Sequence, residues 1–312
     1  VRLNPLPTAE ERSFDGALRQ YDRCYKSQSK SEFDPDPDSD PDFDLERKGK
    51  SMITNKRYGA VFAICLLLVF TGCSSLQPKD TVTQVSTIDA LLTGAYDGSM
   101  TCGELVKHGN LGIGTFDRLD GEMVLVDDTV YQVKADGKVY KVDNSLTTPF
   151  AAVCRFSPEQ AVGFEPNAGY EQVRTAVDRV APNTNLFCAV DITGTFTRMH
   201  TRSVPAQTKP YPPLAQVTSH QPEFVMENVS GRIVGFRSPA YVKGIGVPGY
   251  HLHFISDDRT QGGHILDFEM AKGAGAVDVC DRFLLLLPGK DAMFGAADLS
   301  VDRAKELEAV EK

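Results

Sequence analysis

From residue 186 the chain alternates without interruption: Leu186, Cys188, Val190, Ile192, Gly194 and Phe196 share one side, with Asp191, Thr193 and Thr195 among the residues between them. A period of two held over eleven residues predicts one long β-strand with its apolar face buried, and a helix cannot satisfy it. The fold must therefore contain a sheet. If the alternation continues, Arg198, His200 and Arg202 occupy the same face. Such a strand would pass from an apolar core to a basic end, as expected where a core opens into a site.

The surrounding sequence fits this strand. Ile88, Leu91, Leu92 and Tyr96 have helical spacing after Ser86-Thr87, and Thr101 with Glu104 has the spacing of a capping box. Short strands are expected at 122–126, 129–134 and 138–142, the last two joined by an Asp136-Gly137 turn. Tyr170, Val173, Val177 and Val180 mark an amphipathic helix that stops before Pro182. Further strands are expected at 224–227, 232–236, 250–255, 264–268 and 283–287, with a charged helix from Val301 to the end. The pattern is that of an α+β, strand-rich fold, in two closely packed halves.

The first quarter reads differently. Residues 31–46 form an acidic, proline-broken tract that cannot bury apolar surface. After Met52, Lys56 and Arg57 comes an apolar run over 59–70 that ends in Thr71-Gly72-Cys73. A basic start, a short apolar stretch and small residues describe a secretory signal, and the run is shorter than the ~20 residues a spanning helix needs. Its end resembles a bacterial lipoprotein signal, with Cys73 as the lipidated first mature residue and Phe70 a departure from the usual leucine. The expected organisation is an untranslated or disordered segment over 1–51, a lipoprotein-type signal over 52–73, a tether over 74–85 and a catalytic region over 86–312. The product would be exported and held at the membrane by its lipid anchor.

The whole chain has a formal net charge of −9, and the 12 acidic and 11 basic side chains of residues 1–72 nearly cancel. The negative charge thus belongs to the remainder, which carries no basic stripe, and this argues against nucleic acid as a partner. Cys102, Cys154, Cys188 and Cys280 show no CxxC spacing and read as buried thiols or one structural bridge, not as metal ligands.

Three of the six histidines fall within fourteen residues: His251, His253 and His264. Residues i and i+2 of a strand share a face, so the first two project together. Residues 256–263 are rich in turn formers, and a returning strand would bring His264 beside the pair. Three imidazoles on one side suit Zn²⁺ with a fourth position open. A cupin register fails, because Ile245 and Asp257-Asp258 stand where a glycine and a glutamate belong. His108, His200 and His220 read as surface residues, His200 having a lesser claim to the site through its parity with Arg202.

Several segments resemble the alpha-acetolactate decarboxylase family: residues 84–98, Gly112-Ile-Gly-Thr-Phe, Leu119-Asp-Gly-Glu-Met-Val, residues 201–214, Gly249-Tyr-His-Leu-His-Phe and Gly262-Gly-His-Ile-Leu-Asp-Phe. The resemblance implies Zn²⁺ on His251, His253 and His264, with site residues at Thr115, Glu122 and Arg202. It also implies a C-terminal glutamate, for which Glu311 is favoured over Glu306 and Glu308. The implied fold has an N-terminal mixed β-sheet with helices, and a C-terminal β-barrel-like half carrying the metal, in a homodimer. The implied reaction turns 2-acetolactate into acetoin and CO2, the metal chelating the ketone and hydroxyl and stabilising an enediolate. Arg202 would grip the carboxylate, and Glu122 or the C-terminal glutamate would manage the proton. An exported zinc hydrolase and a non-catalytic zinc-binding lipoprotein are the alternatives.

Overall fold

The computed structural model describes residues 79–311. The upstream segment, the signal, the start of the tether and Cys73 lie outside the described residues. Among the described residues no helix is long and apolar enough to cross a membrane.

Eight strands come first: Thr81–Val85 (β1), Met100–Thr101 (β2), Leu111–Thr115 (β3), Glu122–Val126 (β4), Thr129–Val133 (β5), Val139–Lys141 (β6), Thr147–Thr148 (β7) and Ala151–Cys154 (β8). Seven follow: Gln160–Gly163 (β9), Ala168–Gly169 (β10), Phe187–Arg202 (β11), Glu223–Ser238 (β12), Gly249–Ser256 (β13), Gly262–Cys280 (β14) and Arg282–Leu286 (β15). The helices are Ile88–Leu92 (α1), Cys102–Leu105 (α2), Tyr170–Val180 (α3), Leu214–Thr218 (α4), Ala292–Ala296 (α5) and Ala304–Glu311 (α6).

A seven-stranded sheet runs in the order β15-β1-β8-β3-β4-β5-β6. Only the β1–β15 pairing is parallel, so the sheet is mixed, as expected. The expected tether does not extend to residue 85. Thr81–Val85 is a buried strand paired on both sides, by β8 and by β15. Its Thr-Val-Thr-Gln-Val sequence lacks a one-sided pattern because both faces are covered, and its partners lie far along the chain.

The second sheet runs β10-β14-β11-β12-β13, with β9 also on β14. It curls until β13 meets β14 again at His253↔His264, Phe254↔Gly263 and Ile255↔Gly262. The barrel expected here is thus a curled six-stranded sheet whose margins join at those three positions. The two strands expected over 224–236 are one strand, β12, and β14 continues well past the expected end at 268.

β11 is covered on both sides. Cys188, Val190, Ile192 and Phe196 pack inside the curl with Val173 and Val177 of α3. Phe187 and Ala189 face the other way, against Val82, Leu111, Ile113 and Val124 of the first sheet. On that second face Asp191 is fully buried and accepts from Nε and Nη2 of Arg232, both at 2.6 Å. Continuous coverage of this kind is what a strand between two layers requires.

The alternation does not survive to the end of β11. Its pairing with β14 shifts register between Thr195 and Phe196, between Phe196 and Arg198, and between His200 and Thr201. Each irregularity re-aims the side chains that follow. Met199 is fully buried, whereas Arg198 pairs with Asp267 and His200 with Glu223, each at 2.9 Å. The basic face expected from parity is therefore split: Arg198 and His200 leave it, and Arg202 alone turns into the interior.

The helices follow their caps. Thr87 Oγ1 accepts from Ala90 N at the start of α1, and Thr101 Oγ1 accepts from Glu104 N at the start of α2. α3 matches its expectation, while α5 was not anticipated. α6 packs on α4 and buries Leu307 and Val310 in one apolar cluster with Leu214 and Val217 of α4 and Ile88, Leu91 and Leu92 of α1. All four cysteines of the described region are free and buried.

Candidate metal and active site

His251 and His253 project from β13 to one side, and the β13–β14 pairing sets His264 directly opposite His253. The approach of β14 requires a glycine just before that histidine. Gly263 has φ +134°, and a Cβ there would lie 2.5 Å from the carbonyl oxygen of Arg202. The three imidazole centroids are 5.0–5.3 Å apart. His253 Nδ1 donates to the Met123 carbonyl at 2.8 Å, so its Nε2 carries the lone pair. That Nε2 lies 3.2 Å from Nε2 of His251. All three imidazoles are held below their ordinary pKa, first by burial; the Arg202 charge comes next for His251 and His264 and the neighbouring His251 for His253, and His251 is lowered to about 3. They are neutral at physiological pH, as ligands must be.

This donor set fits Zn²⁺. The ligand atoms of the three histidines all lie within 4.8 Å of one another. Two nitrogens at about 2.0–2.1 Å from a tetrahedral ion would be roughly 3.3 Å apart, close to the observed pair. The Met123 carbonyl orients His253 from behind, the usual outer support for a ligating imidazole.

Two carboxyl groups face the cluster. Glu122, the first residue of β4, has Oε2 at 3.7 Å from His253 Nε2. Glu311, on α6, has Oε2 at 3.9 Å from Nε2 of both His251 and His264. Of the three C-terminal candidates it is Glu311 that reaches the cluster, while Glu306 pairs with Arg303. Burial raises Glu122 to about 8 and Glu311 to about 7, against the pull of Arg202, and Glu311 raises Glu122 further. A bound cation would act the other way on both.

Arg202 is 3% exposed. One terminal nitrogen donates to Gln221 Oε1 at 2.9 Å, while its buried Nε–H has no partner. The bulged end of β11 that presents it is pinned by Thr201 Oγ1 donating to the Gly262 carbonyl and Ser203 Oγ donating to the Val133 carbonyl. Thr115 is opposite Glu122 in the β3–β4 pair, and its Oγ1 donates to the Gly121 carbonyl at 2.7 Å. Its hydroxyl hydrogen is thus committed to the turn that delivers Glu122.

Thr115, Glu122, Arg202, His251, His264 and Glu311 line one pocket of about 460 Å³, its open mouth included. Ile88, Leu91, Phe150, Leu214 and Val310 supply apolar walls. All seven residues expected from the sequence are therefore brought to one place, with His253 behind the lining. His200 and Arg198 are not part of it. Gln221 and the Met123 carbonyl were not anticipated, since a loop glutamine and a backbone oxygen leave no pattern in a sequence.

A polar, three-histidine centre set between two sheets and walled by apolar side chains has the make-up of a metal-assisted enzyme site. The family model for alpha-acetolactate decarboxylase matches residues 82–301. The chain is similar to the Methanosarcina mazei alpha-acetolactate decarboxylase, 48% identical over 75% of this chain and 81% of that protein. It is 38% identical to the Bacillus subtilis alpha-acetolactate decarboxylase, over 75% of this chain and 92% of that protein. A crystal structure of alpha-acetolactate decarboxylase from Bacillus subtilis superposes with a TM-score of 0.72, covering 74% of this chain and 99% of that one. The chain belongs to the alpha-acetolactate decarboxylase family, a family of carboxy-lyases.

Proposed function

We propose that this chain decarboxylates 2-acetolactate to acetoin and CO2, with Zn²⁺ held by His251, His253 and His264. The observation that carries the reading is the unpartnered Nε–H of buried Arg202, in the same pocket as the buried carboxyls of Glu122 and Glu311 and beside the three-imidazole cluster. An anion-binding donor, proton carriers and a cation's ligands are the parts that loss of CO2 from a 3-oxo acid requires.

Bound there, the ion would supply Lewis-acid stabilisation of the negative charge that develops on the substrate's ketone oxygen. Arg202 grips the carboxylate through Nε and its terminal nitrogens, with Gln221 fixing the plane of the guanidinium. As the bond to the carboxyl carbon breaks, its electron pair stays with the substrate, and a proton must then reach the carbon that lost CO2. Burial raises the pKa of Glu122 and Glu311 and a bound cation would lower it, which sets both carboxyls where each can deliver that proton or organise a water that does. Thr115 positions Glu122 through the Gly121 carbonyl. The apolar walls from α1, α4 and α6 exclude bulk water and strengthen every one of these interactions.

Acetoin release from racemic 2-acetolactate, measured with and without a zinc chelator, tests this reading. Chelator-sensitive acetoin is the expected result. A folded, zinc-loaded protein that leaves acetolactate intact would overturn it. Export, a lipid anchor at Cys73 and a homodimer complete the proposal. The basic pair, the 59–70 apolar run and the Thr-Gly-Cys ending support the anchor, and the resemblance supports the dimer. Mass spectrometry of the native protein should find an acylated Cys73 as its first residue.

A further inference from the structure

At the end of β14 remote from the histidines, a second group of donors converges. Asp278 and Cys280 are two apart on one strand and so share a face, by the same geometry that pairs His251 with His253. Cys154 meets them from β8 of the other sheet. One ligand atom from each lies within 4.8 Å of the other two, and all three residues are buried.

Asp278 is the informative member. Its side chain is fully buried. Oδ2 accepts from the Ser157 backbone N at 2.8 Å, but Oδ1 has no hydrogen-bond partner. A buried carboxylate oxygen left without a partner is costly, and native structures retain one only where something else satisfies it. Asp80 and Glu159 form a second donor set with the same Asp278, again within 4.8 Å. They add negative charge rather than relieving it, and they are more exposed than Asp278.

We propose that Cys154, Asp278 and Cys280 form a second cation site, taking a thiophilic divalent ion such as Zn²⁺, with water completing its shell. Two sulfurs and one carboxylate are a donor set that favours zinc over magnesium or calcium. On binding, each thiol gives up its proton to solvent and the thiolate sulfurs become ligands. Oδ1 of Asp278 gains its missing partner. The ion ties β8 to β14, and hence the first sheet to the second, through three protein ligands. A Cys154–Cys280 disulfide would use the same two sulfurs yet leave Oδ1 of Asp278 unpartnered, which is why the cation is favoured. The site is independent of the reaction assigned to the histidine pocket.

The test uses the full chain, kept reduced and loaded with Co²⁺ in place of Zn²⁺. The expected result is a near-ultraviolet thiolate-to-cobalt charge-transfer band, which an all-imidazole site cannot produce, and two ions per chain. In the double variant Cys154→Ser with Cys280→Ser the band should vanish and one ion should remain, with catalytic activity unchanged. Asp278→Asn, which keeps both thiols, should bind the second ion at least tenfold more weakly. Absence of the thiolate band in the folded wild-type chain would overturn the proposal. So would a mass two hydrogens lighter that maps to a Cys154–Cys280 disulfide.

Discussion

The two halves of β11 are built from one strand and do opposite things. From Phe187 to Gly194 its ladder with β14 is regular, every side chain is taken up by a core, and the one charge, Asp191, is neutralised by Arg232. From Thr195 to Arg202 the ladder slips three times, and the strand ends by presenting a buried guanidinium with an unsatisfied N–H to a pocket. A regular ladder repeats the same two faces, so it can only bury or expose. A bulged one can turn a single side chain out of register with its neighbours, and a site needs that freedom. The histidine pocket lies at the end where the β11–β14 ladder slips, and the first sheet contributes Thr115 and Glu122 from strands that are short and regular.

Variants at the two ends should therefore fail differently. The largest effect is expected for His253→Ala, at the irregular end. Loss of a ligand from the centre of the cluster should abolish zinc binding and lower acetoin formation by roughly three powers of ten or more. Metal analysis and kinetics on the folded variant check both. Next is Asp191→Ala in the regular half. It leaves buried Arg232 with the half-exposed Asp127 as its ion-pair partner, and a loss of about 3 kcal/mol is expected, the low end of what breaking a buried pair costs. Chemical denaturation should show that loss, while zinc content in the folded fraction stays at the wild-type level. A variant that kept its stability would end the contrast between the halves.

Arg202→Lys comes third. It keeps a positive charge but not the planar fork, and a loss of roughly a hundredfold in kcat/KM with zinc retained is expected. Wild-type kinetics would remove Arg202 from the reaction. The smallest effect belongs to Arg198→Ala. Its pair with Asp267 is a half-exposed surface contact, of a kind that contributes about 0–1 kcal/mol. Both stability and activity should stay near wild type, although parity places Arg198 on the same face as Arg202.

That last contrast marks how far the sequence could be read. The period-two run of β11, the amphipathic spacing of α3 and the caps of α1 and α2 are local signals, and each element formed where they lie. The histidine triad was legible too, because i and i+2 on a strand followed by a turn and a return is local geometry. Slips in a ladder are set by the partner strand, so the separation of His200 from Arg202 had no local sign. β1 was hidden for the same reason: its burial comes from β8 and β15, which are remote in sequence. The place of Glu311 depended on resemblance, since a charged helix offers several glutamates and only the docking of Leu307 and Val310 decides which one faces inward. Gln221, which holds Arg202, belongs to the same class of contacts that only a fold reveals.

Zinc on His251, His253 and His264 can be seen in diffraction data collected across the zinc absorption edge from crystals of the native protein. An anomalous peak is expected about 2.0–2.1 Å from a ring nitrogen of each of the three histidines. Fully occupied native zinc with no peak at that position would contradict it.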